Sequence, residues 1–85
     1  MARYSVHIKR SAAKELEAVP PKDRKRIVRR IEGLATEPRP SGGEKLSGEE
    51  KYRLRQGDYR ILYEILDQKL IITVVKVGNR RDIYR

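Results

Sequence analysis

Lys51-Tyr52-Arg53-Leu54-Arg55-Gln56-Gly57-Asp58-Tyr59-Arg60-Ile61-Leu62-Tyr63-Glu64-Ile65 is the stretch that decides the fold. Apolar and polar residues alternate on both sides of a glycine-containing turn, the pattern of a β-hairpin with one buried face. A two-residue turn at Gln56-Gly57 sets Arg55 opposite Asp58, Leu54 opposite Tyr59, Arg53 opposite Arg60, and Tyr52 opposite Ile61. Tyr52, Leu54, Tyr59 and Ile61 then share one face, and Lys51, Arg53, Arg55 and Arg60 share the other. Like charges directly opposite on a ladder repel. A face carrying four cations is therefore either a solvated outer surface of snorkelling side chains or a seat for an anion. The pattern by itself leaves both open.

Outward from the hairpin, residues 69–77 are nearly continuous in apolar character, which suits a central strand. A turn at Asp67-Gln68 that pairs Leu66 with Lys69 sets Ile65 against Leu70, Tyr63 against Ile72, Ile61 against Val74 and Arg60 against Val75. Upstream, residues 3–9 alternate, with Tyr4, Val6 and Ile8 on one side and Ser5, His7 and Lys9 on the other. Ser11 is placed to cap a short helix through Ala12, Ala13, Leu16 and Val19. Pro20-Pro21 ends it, and one of those prolines can open the next helix at no hydrogen-bonding cost. This second helix is expected over 22–36, with Ile27, Ile31, Leu34 and Ala35 as its buried stripe and Val28 at the edge. Arg24, Lys25, Arg26, Arg29 and Arg30 fill its exposed side, which suits a solvated face or a surface against ribosomal RNA. Residues 37–43, rich in Pro and Gly, return the chain to the sheet. The expected order is β-α-α-β-β-β, an α+β fold whose helices cover one face of a mainly antiparallel sheet, in a single domain over 1–85.

Composition narrows the function. Lys and Arg total 21 against 12 acidic residues, a net charge of +9 on 85 residues. That imbalance calls for an anionic partner, either nucleic acid or an acidic protein. No apolar run approaches the ~20 residues of a membrane span, and the first residues enter a strand pattern with no secretory leader, so a cytoplasmic protein without membrane contact is expected. Cysteine is absent, which excludes a disulfide framework, a thiolate metal site and a cysteine nucleophile. The single histidine, His7, has no catalytic partner nearby in sequence. No carboxylate pair on the cationic face has metal-site spacing and no Gly-rich phosphate loop is present, so neither a metal nor another cofactor is expected.

Lys51, Arg53, Arg55, Arg60, Arg80, Arg81 and Tyr84 remain. RNA carries its own nucleophile in the 2′-hydroxyl, so cleavage requires only proton removal, charge stabilisation at phosphorus and protonation of the departing 5′-oxygen. Guanidinium groups grip phosphate oxygens bidentately, and a lysine or tyrosine can move the protons. Read alone, this set describes a nucleic-acid-binding face.

Leu46-Ser47-Gly48, the run from Tyr52 through Glu64, and Val77-Gly78-Asn79-Arg80-Arg81-Asp82-Ile83-Tyr84-Arg85 together resemble the RelE/ParE superfamily of toxin–antitoxin toxins. The likeness spans essentially the whole chain. It implies one of two activities. The RelE branch comprises ribosome-dependent interferases that cleave mRNA in the A site of the 70S ribosome by 2′-hydroxyl attack, and the ParE branch poisons DNA gyrase without cleaving RNA. The RelE branch is favoured. The resemblance then implies catalytic roles for Lys51, Arg53, Arg60, Arg80 and Tyr84, with Arg60 and Arg80 on the transition-state phosphate and Tyr84 also able to stack on a base. Arg55, Arg81, Arg29 and Arg30 are expected to bind RNA. Asn79 stands where many relatives carry a histidine. The resemblance also implies a cognate antitoxin as partner, and a toxin–antitoxin complex that binds its own operator through the antitoxin. A plain RNA- or DNA-binding module is the remaining alternative.

Overall fold

The structure, a computed structural model, describes residues 3–46 and 51–79. The candidate residues Arg80, Arg81 and Tyr84 lie outside the described residues. Two helices, α1 (Arg10–Glu17) and α2 (Pro21–Gly33), accompany five strands: β1 (Ser5–Ile8), β2 (Gly43–Lys45), β3 (Lys51–Gln56), β4 (Tyr59–Leu66) and β5 (Ile71–Asn79). The strands form one sheet in the order β1-β5-β4-β3-β2. The β1–β5 pair is parallel and the other pairs are antiparallel. The α+β architecture and the central place of the last strand are as the sequence implies.

Both helices pack on one face. Ala12, Leu16, Val19, Ile27, Ile31 and Leu34 close over Leu54, Ile61, Tyr63, Ile65, Ile72, Val74 and Val77 in one core. Full burial of each large aliphatic side chain contributes about 1.5–3 kcal/mol. The α2 stripe is the expected one, with Ala35 also buried.

Several local expectations are corrected. α1 begins before Ser11, with Lys9 in the capping position and no side-chain cap. The sheet fixes this entry instead, because the Lys9 N–H donates to the Val74 carbonyl at 2.9 Å. α2 ends at Gly33 rather than at 36, and Leu34, Ala35 and Thr36 continue as tighter turns that donate three residues back. Pro21 opens α2, as expected.

β2 is a strand the sequence did not announce, since Gly43-Glu44-Lys45 has neither β-branched residues nor apolar alternation. A turn creates it. The Gly43 N–H donates to the Pro40 carbonyl at 3.0 Å, with Gly42 at φ +91° in the third position, where a type II turn needs positive φ. Gly43 itself lies tight against that turn, since a Cβ there would meet the Pro40 oxygen at 3.2 Å and the Tyr63 hydroxyl at 3.4 Å.

Both hairpin registers also differ from expectation. The first turn is centred on Gly57-Asp58, so Gln56 pairs with Tyr59, Arg55 with Arg60, Leu54 with Ile61, Arg53 with Leu62, Tyr52 with Tyr63 and Lys51 with Glu64. Gly57 at φ +59°, followed by a residue at negative φ, matches a turn that needs left-handed geometry only at its first central position. Moving the turn by one residue displaces each partner by two, so each residue keeps its face although its neighbour changes.

The second connection runs through a 3₁₀ turn at Asp67–Lys69 and a left-handed Leu70, and β5 therefore starts later, with Leu66 opposite Ile71. A bulge then intervenes: Tyr63 pairs with Val74 and Leu62 with Lys76, leaving Val75 as the extra residue. Continued alternation from Ile72 and Val74 would turn Lys76 into the core. The bulge resets the phase, so Val77 is buried there instead.

Candidate nucleic-acid interface

The face of the sheet away from the helices carries the cations. Arg55 and Arg60 are direct cross-strand partners, Arg53 lies one same-face position further along β3, and Lys51 one beyond that. Arg60 sits on β4 between Arg55 and Gly78, whose missing side chain leaves the position beside it low. Arg60 is buried at 5% exposure, which is rare for a guanidinium. Arg53, Arg55 and Arg60, with Gly42 and Glu44, line a depression of about 390 Å³. The like-charge cross-strand pair expected between Arg53 and Arg60 is thus an Arg55–Arg60 pair.

Lys51 is on the same face but not in the depression. It faces Glu64 at the other end of β3, about 13 Å along the strand from Arg55 at ~3.3 Å per residue. Arg29 and Arg30 are not brought to this face at all, since α2 packs on the other side of the sheet. Arg29 is exposed there, where Pro21, Lys22, Lys25, Arg26 and Arg29 line a second depression. Arg30 is half-buried rather than on the open side, with its Nε shielded from solvent. His7 lies exposed on the edge strand β1.

Sequence reasoning missed Glu44. It faces Arg53 across the β2–β3 ladder, and its Oε2 accepts from Arg53 Nη2 in an ion pair. Its only herald was the Gly-rich turn that starts β2. Among the described residues, no cluster of His, Cys, Asp or Glu is placed to hold a metal ion, and no helix is long and apolar enough to cross a membrane.

A second polar cluster lies near the strand ends where residues 36–42 cross the helix side. Arg39 makes two parallel hydrogen bonds to Asp67, at 3.1 and 2.8 Å, and donates from Nε to the Tyr52 hydroxyl at 3.1 Å. Its guanidinium also lies 5.2 Å from the Tyr52 ring centroid. Tyr4 donates to Asp67 at 2.6 Å. Tyr52 stacks on Tyr63 at 5.7 Å, and the Tyr63 hydroxyl donates to the Pro38 carbonyl at 2.9 Å. The bonds from Arg39 and Tyr4 hold the Asp67 carboxyl down at about 2, and the bond to Asp67 raises the Tyr4 hydroxyl. Burial, more than any charge, pushes the Tyr63 hydroxyl up to about 12. This cluster ties the α2–β2 connection to β1, β3 and the end of β4.

Comparison with known proteins agrees with this arrangement. The family described as the ParE toxin of the type II toxin–antitoxin system parDE matches residues 6–84. The chain belongs to the RelE/ParE superfamily of type II toxin–antitoxin toxins. Within it the relatives are RelE-like. A putative toxin RelE1 of Methanocaldococcus jannaschii is 32% identical over 98% of this chain and 97% of its own length. Toxin RelG of Mycobacterium tuberculosis is 33% identical over 96% of this chain and 97% of its own. The toxin in the archaeal RelE–RelB complex of Pyrococcus horikoshii superposes with a TM-score of 0.84 at 30% identity, covering 96% of this chain and 99% of that one. The RelE-like fold thus presents the Arg53, Arg55 and Arg60 side of its sheet away from the helices.

Proposed function

We propose that this RelE-like toxin is a ribosome-dependent endoribonuclease that cleaves mRNA in the A site by attack of the 2′-hydroxyl, without a metal. The observation that carries the reading is the meeting of Arg53, Arg55 and Arg60 in one depression, with Arg55 and Arg60 paired across the ladder. That arrangement concentrates positive charge where a phosphodiester would bind. The 2′-oxygen attacks phosphorus, its proton passes to a base on the protein, and a 2′,3′-cyclic phosphate forms as the 5′-oxygen leaves with a proton. Arg60, pre-oriented by burial, would hold the phosphoryl oxygens as charge builds on them, with Arg53 and Arg55 placing the backbone. Arg80 would share the phosphate and Tyr84 the proton transfer and base stacking, as the family resemblance implies. Lys51 lies far along β3 from Arg60, so its role as a proton carrier requires the substrate to span the face.

The same reading includes a cognate antitoxin. The P. horikoshii toxin was solved with RelB, and a chain of net charge +9 suits an acidic segment that folds on binding. The test is primer extension on a defined mRNA in purified 70S ribosomes. Cuts inside A-site codons are expected with the native chain, and none with Arg60→Ala or without ribosomes. Equal cutting by Arg60→Ala would overturn the proposal. The ParE name of the matching family supports a second reading, a gyrase inhibitor. Loss of supercoiling activity with no RNA cleaved would select it.

A further inference from the structure

We infer that Glu44 is an affinity-determining residue of the cationic face, an internal competitor that RNA phosphate must displace from Arg53. The inference rests on the proposal that this face binds RNA. Three observations on Glu44 converge. It lies directly opposite Arg53 in the β2–β3 ladder, its carboxylate accepts from Arg53 Nη2, and it lines the same depression as Arg53, Arg55 and Arg60. Among the described residues that line it, Glu44 is the only acidic one, beside three arginines. A carboxylate presents two oxygens to a guanidinium much as a phosphodiester does, so the two compete for one fork.

The pair is also built to exchange. The Glu44 side chain is 64% exposed and Arg53 27% exposed, so the carboxylate can swing into water while the arginine stays in the wall of the depression. Among the described residues β2 is a three-residue strand at the edge of the sheet, paired with β3, so its hold on Glu44 is short. Glu44 thereby weakens the grip on any phosphate that does not also engage Arg55 and Arg60. Phosphodiester backbones that reach the full triad are favoured over isolated anions.

The experiment measures the Kd of a short, uncleavable 2′-O-methyl RNA by fluorescence anisotropy at fixed salt. The proteins compared are the native chain, Glu44→Gln, Arg53→Gln, the double variant, Arg60→Ala, and Glu17→Gln as a charge-matched control on α1. Glu44→Gln is expected to tighten binding about threefold to fivefold, the scale of one partly exposed ion pair. Glu17→Gln should shift it by less than about 1.5-fold, as should Glu44→Gln in the Arg53→Gln background. Equal tightening in both backgrounds would mean a general field effect and overturn the inference, as would weaker binding or no change on Glu44→Gln. If Arg60→Ala binds as well as the native chain, the face is not the RNA site. The functional proposal then falls with the inference.

Discussion

On the open face of the sheet, three arginines and Glu44 are gathered among the described residues that line one depression, whereas on the helix side one arginine meets a carboxylate, a hydroxyl and an aromatic ring. Arg39 has a bidentate carboxylate in Asp67, a hydroxyl acceptor in Tyr52 and the face of the same ring beneath it. Arg53, Arg55 and Arg60 have Glu44 among them, and two of the three stand directly opposite each other. Both clusters flank the same pair of strands. A matched set of charges fastens a loop to a sheet. The gathering of one sign on the open face is what the proposed RNA phosphate would engage.

Removing Arg60 should separate the two clusters most sharply. Arg60→Ala is expected to lower RNA cleavage about 10²- to 10³-fold, the usual loss for one pre-oriented donor to a transition-state oxyanion. Single-turnover kinetics check the rate. Arg60→Lys should not restore it, because a point charge lacks the planar fork. Arg55→Ala, at the exposed rim, is expected to weaken RNA binding about tenfold and to reduce the slope of log K against log salt by about 0.7, one phosphate contact on a single strand. A salt titration reads both.

The fastening cluster should show the opposite profile. Tyr63→Phe removes the hydrogen bond to the Pro38 carbonyl and should cost about 1 kcal/mol. In a domain of this size that lowers Tm by roughly 4–8 °C, with cleavage of RNA at permissive temperature unchanged. The smallest effect is expected from acid. The folded Asp67 carboxyl sits at about 2 against an ordinary 3.8. Its contribution is whole above about pH 4 and is lost as pH falls through about 2. Asp67→Asn should flatten that part of the acid-unfolding curve followed by circular dichroism. The effect is small because Asp67 is exposed and solvent screens it. If Tyr63→Phe abolished cleavage, or Arg60→Ala unfolded the chain, the division between the clusters would fail.

What could be read in advance follows from periodicity. The period-two runs placed Tyr52, Leu54, Tyr59 and Ile61 together and Lys51, Arg53, Arg55 and Arg60 apart from them, and that division survived a hairpin turn misplaced by one residue. The helix stripe of Ile27, Ile31, Leu34 and Ala35 was equally legible. Partner identity was not, because it depends on where the turn closes. Gly57 could stand first or second in a two-residue turn; it stands first, at φ +59°, and that register pairs Leu54 with Ile61 and stacks Tyr52 on Tyr63. The Val75 bulge was beyond local reading too, since it trades one ladder pairing for the burial of Val77 in place of Lys76.

The candidate site divides in the same way. The residue types and the face of Arg53, Arg55 and Arg60 were fixed by sequence, because alternation assigns faces whatever the register. The family likeness of the chain lay in the same hairpin and its C-terminal motif. The burial of Arg60, its pairing with Arg55 and the approach of Glu44 were decided only by tertiary structure. Each depends on contacts between residues separated by a turn or an unannounced edge strand, and their energies exist only once the chain has closed upon itself.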